Sequence, residues 1–332
     1  MAVNKTSSAA VTLPPPPPRA APAPVAKAAA IAPAAKPLGY PSTSSFQPAI
    51  LKPRALASVP RATPSAAPRP GSFDAQVRGQ GARKVDLDLM KLSSAAYDPK
   101  AKVDGWTRLT DAQVQAKGIN PALLENKANG FRAGLYTDGQ GHVALAFAGT
   151  NDVKDVKADI EQGVGLRDSQ YDEAVRLGQQ ASRAFGDNLV MTGHSLGGGL
   201  AATAAAASGR GAVTFNAAGV NDNTLRRYGL DPATVKAQAD AGQMRRYNIK
   251  GEALTGAQED VPGLREKLPD ALGHEIRLND PAPPQAPKWT WNPVEMAKRV
   301  AQYAKEKLER PIQLHLSDSV IQALQQQHPW AA

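Results

Sequence analysis

There is no cysteine among the 332 residues. Disulfide staples and thiolate chemistry are therefore excluded. Nor is there any run of about 18 apolar residues, the length a membrane-spanning helix needs. The N-terminus lacks the charged start and unbroken apolar stretch of a secretory signal peptide, so the chain is expected to be soluble as made. Acidic side chains are nearly missing from residues 1–80, where Asp74 alone faces nine Lys or Arg. That segment carries +8 of the net charge of +9, which leaves the remainder close to neutral. Histidine is scarce as well, with five in the chain. No HExxH motif and no cluster of His, Asp or Glu is visible, so neither a metal nor a cofactor is expected.

What residues 1–80 do contain is proline. Sixteen of the 28 prolines precede Gly71, five of them in the run Pro14–Pro18. Ala, Ser and Thr fill most of the rest, and so little apolar surface cannot offset the entropy of ordering. The segment is expected to be a disordered basic tail, with the folded domain running over 81–332. A basic arm suits nucleic acid or anionic lipid. Its charges are widely spaced, however, so a solvated leader is the expectation, with no nucleic-acid partner. The composition is similar to that of leaders on exported bacterial effectors. It implies synthesis in a bacterial cytoplasm and export without a cleaved signal, with a secretion chaperone as a candidate partner.

The most informative stretch is Val190–Leu200, which contains Gly193-His194-Ser195-Leu196-Gly197, a G-x-S-x-G pentapeptide. An apolar run, Leu189-Val190-Met191, precedes it, and Leu200-Ala-Ala-Thr-Ala-Ala-Ala-Ala, a strong helix former, follows. This strand–turn–helix context is what the nucleophile elbow of an α/β-hydrolase requires. The turn is tight enough to hold the serine in a strained conformation, and neighbours larger than glycine would clash.

Around the elbow, hydrophobic periodicity alternates between helix and strand. Val85–Tyr97 reads as a helix with Leu87, Met90, Leu92 and Ala95 near one face. Phe131–Thr137 and His142–Phe147 read as strands joined by the turn Asp138–Gly141. Asp168–Phe185 reads as a helix closed by Gly186. Gly211–Asn216 and Met244–Lys250 read as further strands. Asn292-Pro293 reads as an N-cap with proline at the first helical position, opening a helix to about Arg310. The fold class predicted is α/β: a central, mostly parallel sheet flanked by helices.

A serine nucleophile needs a base, and in this fold the chain order is serine, acid, histidine. His194 lies inside the elbow, with its side chain expected to point away from the nucleophile. His142 precedes the serine, and His328 sits in a terminus prone to fraying. His315 is favoured over His274, which follows the candidate acids too closely to leave room for an intervening element. The acid should lie just past the end of a strand after the elbow. Glu252 meets that condition first, with Asp260 second and Asp222 third.

The chain resembles the class 3 lipases and their bacterial phospholipase-like relatives. The residues that carry the resemblance are Ala146-Phe-Ala-Gly149-Thr150, Asp155-Val-Lys-Ala-Asp159-Ile160, Thr192–Gly199 with Leu200, and Val213–Gly219. It covers about residues 83–325. The resemblance implies that the backbone amides of Thr150 and Leu196 form the oxyanion hole. It departs from the family at the acid, which is usually aspartate.

The resemblance also implies a serine-dependent lipid ester hydrolase, a phospholipase (A1-type) or lipase working through an acyl-enzyme with Ser195, Glu252 and His315. A phospholipid is the expected substrate, with peripheral membrane contact. Asn151 to about Arg167 would form a lid. Trp289 and Trp291 could anchor at an interface, although packing on the domain surface is the expectation. The alternatives are a carboxylesterase, thioesterase or peptidase acting on a soluble substrate, and a vestigial effector acting through its tail.

Overall fold

The computed structural model describes residues 67–149, 166–254 and 269–331. Residues 1–66, the expected lid up to residue 165, Thr150 and Asp260 lie outside the described residues.

In chain order the elements are α1 (Phe73–Val77), α2 (Val85–Ala95), β1 (Thr107–Arg108), α3 (Asp111–Ala116) and β2 (Glu125–Asn126). The hairpin β3 (Phe131–Thr137) and β4 (Val143–Phe147) follows. Next come α4 (Leu166–Phe185), β5 (Leu189–His194), α5 (Leu196–Ser208) and β6 (Ala212–Phe215). After them are α6 (Asp222–Arg227), α7 (Pro232–Gln238), β7 (Met244–Ile249) and β8 (His274–Leu278). The chain closes with α8 (Pro293–His315) and α9 (Ser317–Gln327).

The sheet runs β1-β3-β4-β5-β6-β7-β8, with β2 beside β3. β3 and β4 pair antiparallel, and β4 through β8 are parallel. The central strands β4 to β6 are buried throughout because both sheet faces are covered there, whereas β7 and β8, toward the edge, carry Arg, His and Glu. In β4, Val143, Leu145 and Phe147 enter one core layer with Tyr171, Val175 and Leu177 of α4. Ala144 and Ala146 enter the other, with Leu89, Met90 and Leu92 of α2 and Val320 and Leu324 of α9. The two-residue repeat of a strand splits each one between the layers. The architecture is therefore the α/β one expected.

α5 lies between the sheet and α4, and its Ala and Gly positions let the backbones approach. A Cβ at Gly178 of α4 would stand 2.9 Å from the Ala204 Cβ. In α2 the fully buried apolar positions are Leu89, Met90 and Leu92, with Asp86 and Ser93 the fully buried polar ones, while Leu87 is half-buried.

Three sequence expectations need correction. The boundary near residue 80 falls too late, because α1 is part of the core. Phe73 and Val77 are buried, and Phe73 stacks on the His142 ring with centroids 4.5 Å apart. The buried Asp74 accepts from the Gly211 amide at 2.7 Å and from Arg78 at 3.0 Å. The buried Arg245 of β7 donates to the carbonyls of Val77 and Gly79, and it pairs with Asp86 at 2.6 Å. Composition hides this segment because its few anchors are spread among prolines and small residues.

Second, α8 runs one turn beyond Arg310, through Pro311 to His315. Proline removes one helical hydrogen bond. Burial of Leu314 and His315 holds the final turn nonetheless. Third, Trp289 and Trp291 do not pack on the domain surface: they are 69% and 91% exposed.

Since α1 is anchored, truncation should be sharply position-dependent. A chain beginning at Ala67 should melt with the full-length chain. One beginning at Gly81 loses two buried apolar side chains, worth about 1.5–3 kcal/mol each, and leaves the Gly211 amide and the Arg245 guanidinium short of acceptors. Its Tm should fall by roughly 10 °C, as expected for a domain of this size. Equal Tm values for the two shortened chains, measured by calorimetry, would refute the boundary.

Candidate active site

β5 ends at His194 and α5 begins at Leu196, which leaves Ser195 to make the whole turn. Ser195 has φ 57° and ψ −129°, a strained backbone for a residue with a Cβ. Neighbouring backbone holds it there. Its amide donates to the Phe215 carbonyl at 3.1 Å, and its carbonyl accepts from Gly198 and Ala218, each at 2.9 Å. The surrounding glycines are required by contact. A Cβ at Gly193 would run into the Gly197 carbonyl, and one at Gly197 into the Phe147 carbonyl. At Gly198 it would stand 2.6 Å from the Ala217 Cβ.

His315, at the end of α8, brings Nε2 to 2.9 Å from the Ser195 Oγ. Its Nδ1 lies 2.6 Å from the Glu252 Oε2. Glu252 follows β7 through Gly251, whose φ of +79° turns the chain back over the strand end. The same carboxylate oxygen accepts from the Leu254 amide at 2.9 Å. Ser195, Glu252 and His315 are all buried. Three residues spread over 120 positions thus form one hydrogen-bonded chain. In such a chain a carboxylate can hold an imidazole in the tautomer that accepts a serine proton.

Two further residues fix the histidine, and the sequence reading missed both. The Asn216 side-chain amide donates to the carbonyls of Leu314 at 3.0 Å and His315 at 3.3 Å. Its Oδ1 accepts from the Ile249 amide at 3.1 Å, which ties the end of α8 to β7. Asn216 itself sits at φ 41°. The only signal for it in the sequence is its place in Val213–Gly219, at the end of a strand after the elbow.

His194 turns its ring toward the end of α8, where its Nε2 lies 2.6 Å from the His315 carbonyl. Contact with a carbonyl requires the proton on Nε2. Burial, and after it the neighbouring His315, push the His194 imidazole down to a pKa of about 3. It therefore stays neutral beside the second ring, whose centroid is 5.0 Å away.

Leu196 opens α5, so its amide is among the first N–H groups of a helix, which have no intrahelical acceptor. Gly149, the residue before Thr150, lies against the elbow. A Cβ there would stand 2.9 Å from the His194 carbonyl and 2.6 Å from the Tyr97 hydroxyl. Burial pushes the Tyr97 phenol up to about 12, opposed by a hydrogen bond from the Gly149 backbone.

The other candidates are occupied elsewhere. His274 begins β8, half-buried and 3.5 Å from Asp240. His142 pairs with Asp138 at 2.6 Å. His328 caps α9. Asp222 pairs with Lys236 at 2.7 Å on the surface.

Comparison with known proteins places the chain in a family. A phospholipase-like family model, the Tle-like phospholipase domain, matches residues 89–279. A protein named extracellular phospholipase A1, from Serratia liquefaciens, is 40% identical over 299 residues, covering 89% of this chain and 86% of that protein. Among solved structures, a mutant form of MDLA from Penicillium cyclopium is 19% identical, covering 63% of this chain and 85% of that one, with a TM-score of 0.35. TT1662 from Thermus thermophilus is also 19% identical, covering 58% and 84%, with a TM-score of 0.26. The family match takes in more than half of the chain and includes the elbow, so the chain belongs to the Tle-like phospholipases and is a lipid ester hydrolase.

Proposed function

We propose that the chain is a phospholipase of the A1 type, with Ser195 as nucleophile, His315 as base and Glu252 as the acid that orients it. The observation that carries this reading is the relay from Ser195 Oγ to His315 Nε2 at 2.9 Å and from His315 Nδ1 to Glu252 at 2.6 Å. The choice of the sn-1 ester rests on the name of the Serratia relative. That name also supports action outside the cell that makes the protein.

The reaction is a two-step acyl transfer. His315 takes the Ser195 proton as the oxygen attacks the ester carbonyl, and Glu252 stabilises the imidazolium that results. The Leu196 amide, with that of Thr150 as its partner, donates to the oxyanion, and each such donor is worth about 3 kcal/mol in the transition state. His315 then returns the proton to the leaving alcohol, which departs as a lysophospholipid. A water molecule, deprotonated by the same histidine, releases the fatty acid. Asn216 and His194 contribute by holding the His315 backbone while its ring gains and loses charge.

The test uses phospholipids labelled separately on the two acyl chains. The wild type should release the sn-1 acid, and preferential release of the sn-2 acid would refute the A1 assignment. Ser195→Ala should abolish both turnover and labelling by a fluorophosphonate. Glu252→Gln should lower kcat by roughly 10⁴-fold with folding retained, while Asp260→Asn should change it by less than about threefold. The reverse pattern in the two acid variants would transfer the role to Asp260.

A second prediction follows from the depressed basicity of His194. An imidazole in the unfolded chain takes up its proton near pH 6.5, whereas the folded one resists protonation down to about pH 3. Between these values the unfolded state binds the extra proton, so stability falls with pH from about 6.5 and levels off below the folded pKa. His194→Asn should therefore lose less Tm than the wild type between pH 7 and pH 4.5. Parallel losses in the two proteins would show that His194 titrates normally in the fold.

A further inference from the structure

α8 is built inside out. At 3.6 residues per turn, Pro293, Ala297, Val300, Ala301, Ala304 and Leu308 share one face. All six are exposed, with Leu308 at 81%. The partly covered face is mainly polar, through Arg299, Tyr303, Glu306 and Arg310, with half-buried Met296 near its start and buried Leu314 in its final turn. Arg310 is held by Asp280, and Arg299 donates to the Lys288 carbonyl at 3.0 Å. An amphipathic helix in a globular protein ordinarily turns its apolar stripe to the core.

At its N-terminal end the stripe meets Trp289 and Trp291, whose rings lie edge to face at 6.1 Å. The two rings and the helix line an open groove of about 530 Å³, almost entirely apolar. At the other end, exposed Ile312 and Leu316 flank His315. The stripe therefore leads to the candidate catalytic histidine.

The charges around the stripe say what covers it. Residues 288–315 hold six basic side chains and three acidic ones. Lys298 and Lys305 fall along one margin of the apolar face and Lys307 along the other, whereas Glu295 and Glu306 fall on the opposite side and Glu309 lies beyond Lys305, with which it pairs at 3.9 Å. Lysines at the boundary can lay their stems on apolar surface and lift their ammonium groups into an anionic layer. With tryptophan at the edge, this is the pattern of a helix lying in the plane of a lipid interface.

We propose that α8 and the Trp289–Trp291 loop form a docking surface for an anionic lipid bilayer, which seats the membrane beside Ser195. The inference rests on the lipolytic reading above and adds where the bilayer is held. The helix lies flat, its stripe sunk to the depth of the acyl boundary, so that the ester need not leave the membrane far to reach the serine. No covalent step is involved.

The experiment uses the full chain with Ser195→Ala for binding to vesicles of phosphatidylglycerol and phosphatidylcholine, and the active chain for turnover. Trp289→Ala/Trp291→Ala and, separately, Leu308→Glu should each reduce vesicle binding and vesicle hydrolysis by about tenfold or more. Hydrolysis of p-nitrophenyl acetate in solution should be unchanged, and so should the Tm. Lys298→Gln/Lys305→Gln/Lys307→Gln should remove the preference for phosphatidylglycerol-rich vesicles. Unaltered vesicle binding in all three variants, with soluble-ester hydrolysis intact, would overturn the docking surface and leave the hydrolase reading standing. Absence of soluble-ester and vesicle hydrolysis in the wild type would instead overturn the hydrolase reading. A wild-type dimer that Leu308→Glu converts to monomer, with vesicle binding unaffected, would assign the stripe to a second copy of the chain.

Discussion

The close approach of backbones at the elbow is the constraint on which the rest of the structure depends. Ser195 can hold its strained dihedrals only because the start of α5 reaches the ends of β4 and β6, with no side chain between them at Gly193, Gly197 or Gly198. The strain costs of the order of 1–3 kcal/mol. Hydrogen bonds to Phe215, Gly198 and Ala218 offset it locally, and the burial of α5 between sheet and α4 offsets it globally. An alanine-rich helix is suited to that sandwich, because small side chains allow close packing on both sides at little entropic cost.

The candidate site is held from two directions that are distant in sequence. From below, β5 and β6 end in register and β7 runs two residues further, so Ser195, Asn216 and the turn at Gly251 emerge at one edge of the sheet. A crevice outside the carboxyl ends of parallel strands is where open α/β sheets ordinarily bind ligands. From above, the end of α8 is held by Asn216 and His194 through backbone carbonyls. A histidine carried by a helix terminus has its position set by those carbonyl contacts as much as by its own ring. That explains the polar side chains buried beneath it.

A second buried network serves stability around β7. Asp86 accepts from Arg245, from the Tyr247 hydroxyl at 2.6 Å and from the Arg83 amide at 2.9 Å. Such a group is costly to bury unless each polar atom is paired. Here the segment from Phe73 to Asp86 supplies the partners, which makes the residues just before the expected domain boundary part of the domain. The helix α8 shows the opposite economy of contacts. It is tethered by its polar face and its final turn, and its apolar stripe is left outward.

Much of this was legible in the sequence, because it depends on local chemistry. The strand–turn–helix of Leu189–Ser208, the hairpin at Asp138–Gly141 and the N-cap at Asn292 are each specified by residues within one or two turns of one another. Chain order sets His142 aside, element spacing His274 and the fraying terminus His328, and the histidine left, His315, is the one the fold brings to 2.9 Å from the Ser195 Oγ. The tertiary structure alone decided the rest. It brought Glu252 within 2.6 Å of His315 across 63 positions. It gave Asn216 and His194 their shared carbonyl, and it packed Phe73 into a core that its proline-rich surroundings conceal. It also turned the apolar face of α8 outward, which no periodicity can reveal. A helical pattern shows which side chains share a face, but the contacts made by the final packing decide which face meets the protein and which meets the solvent.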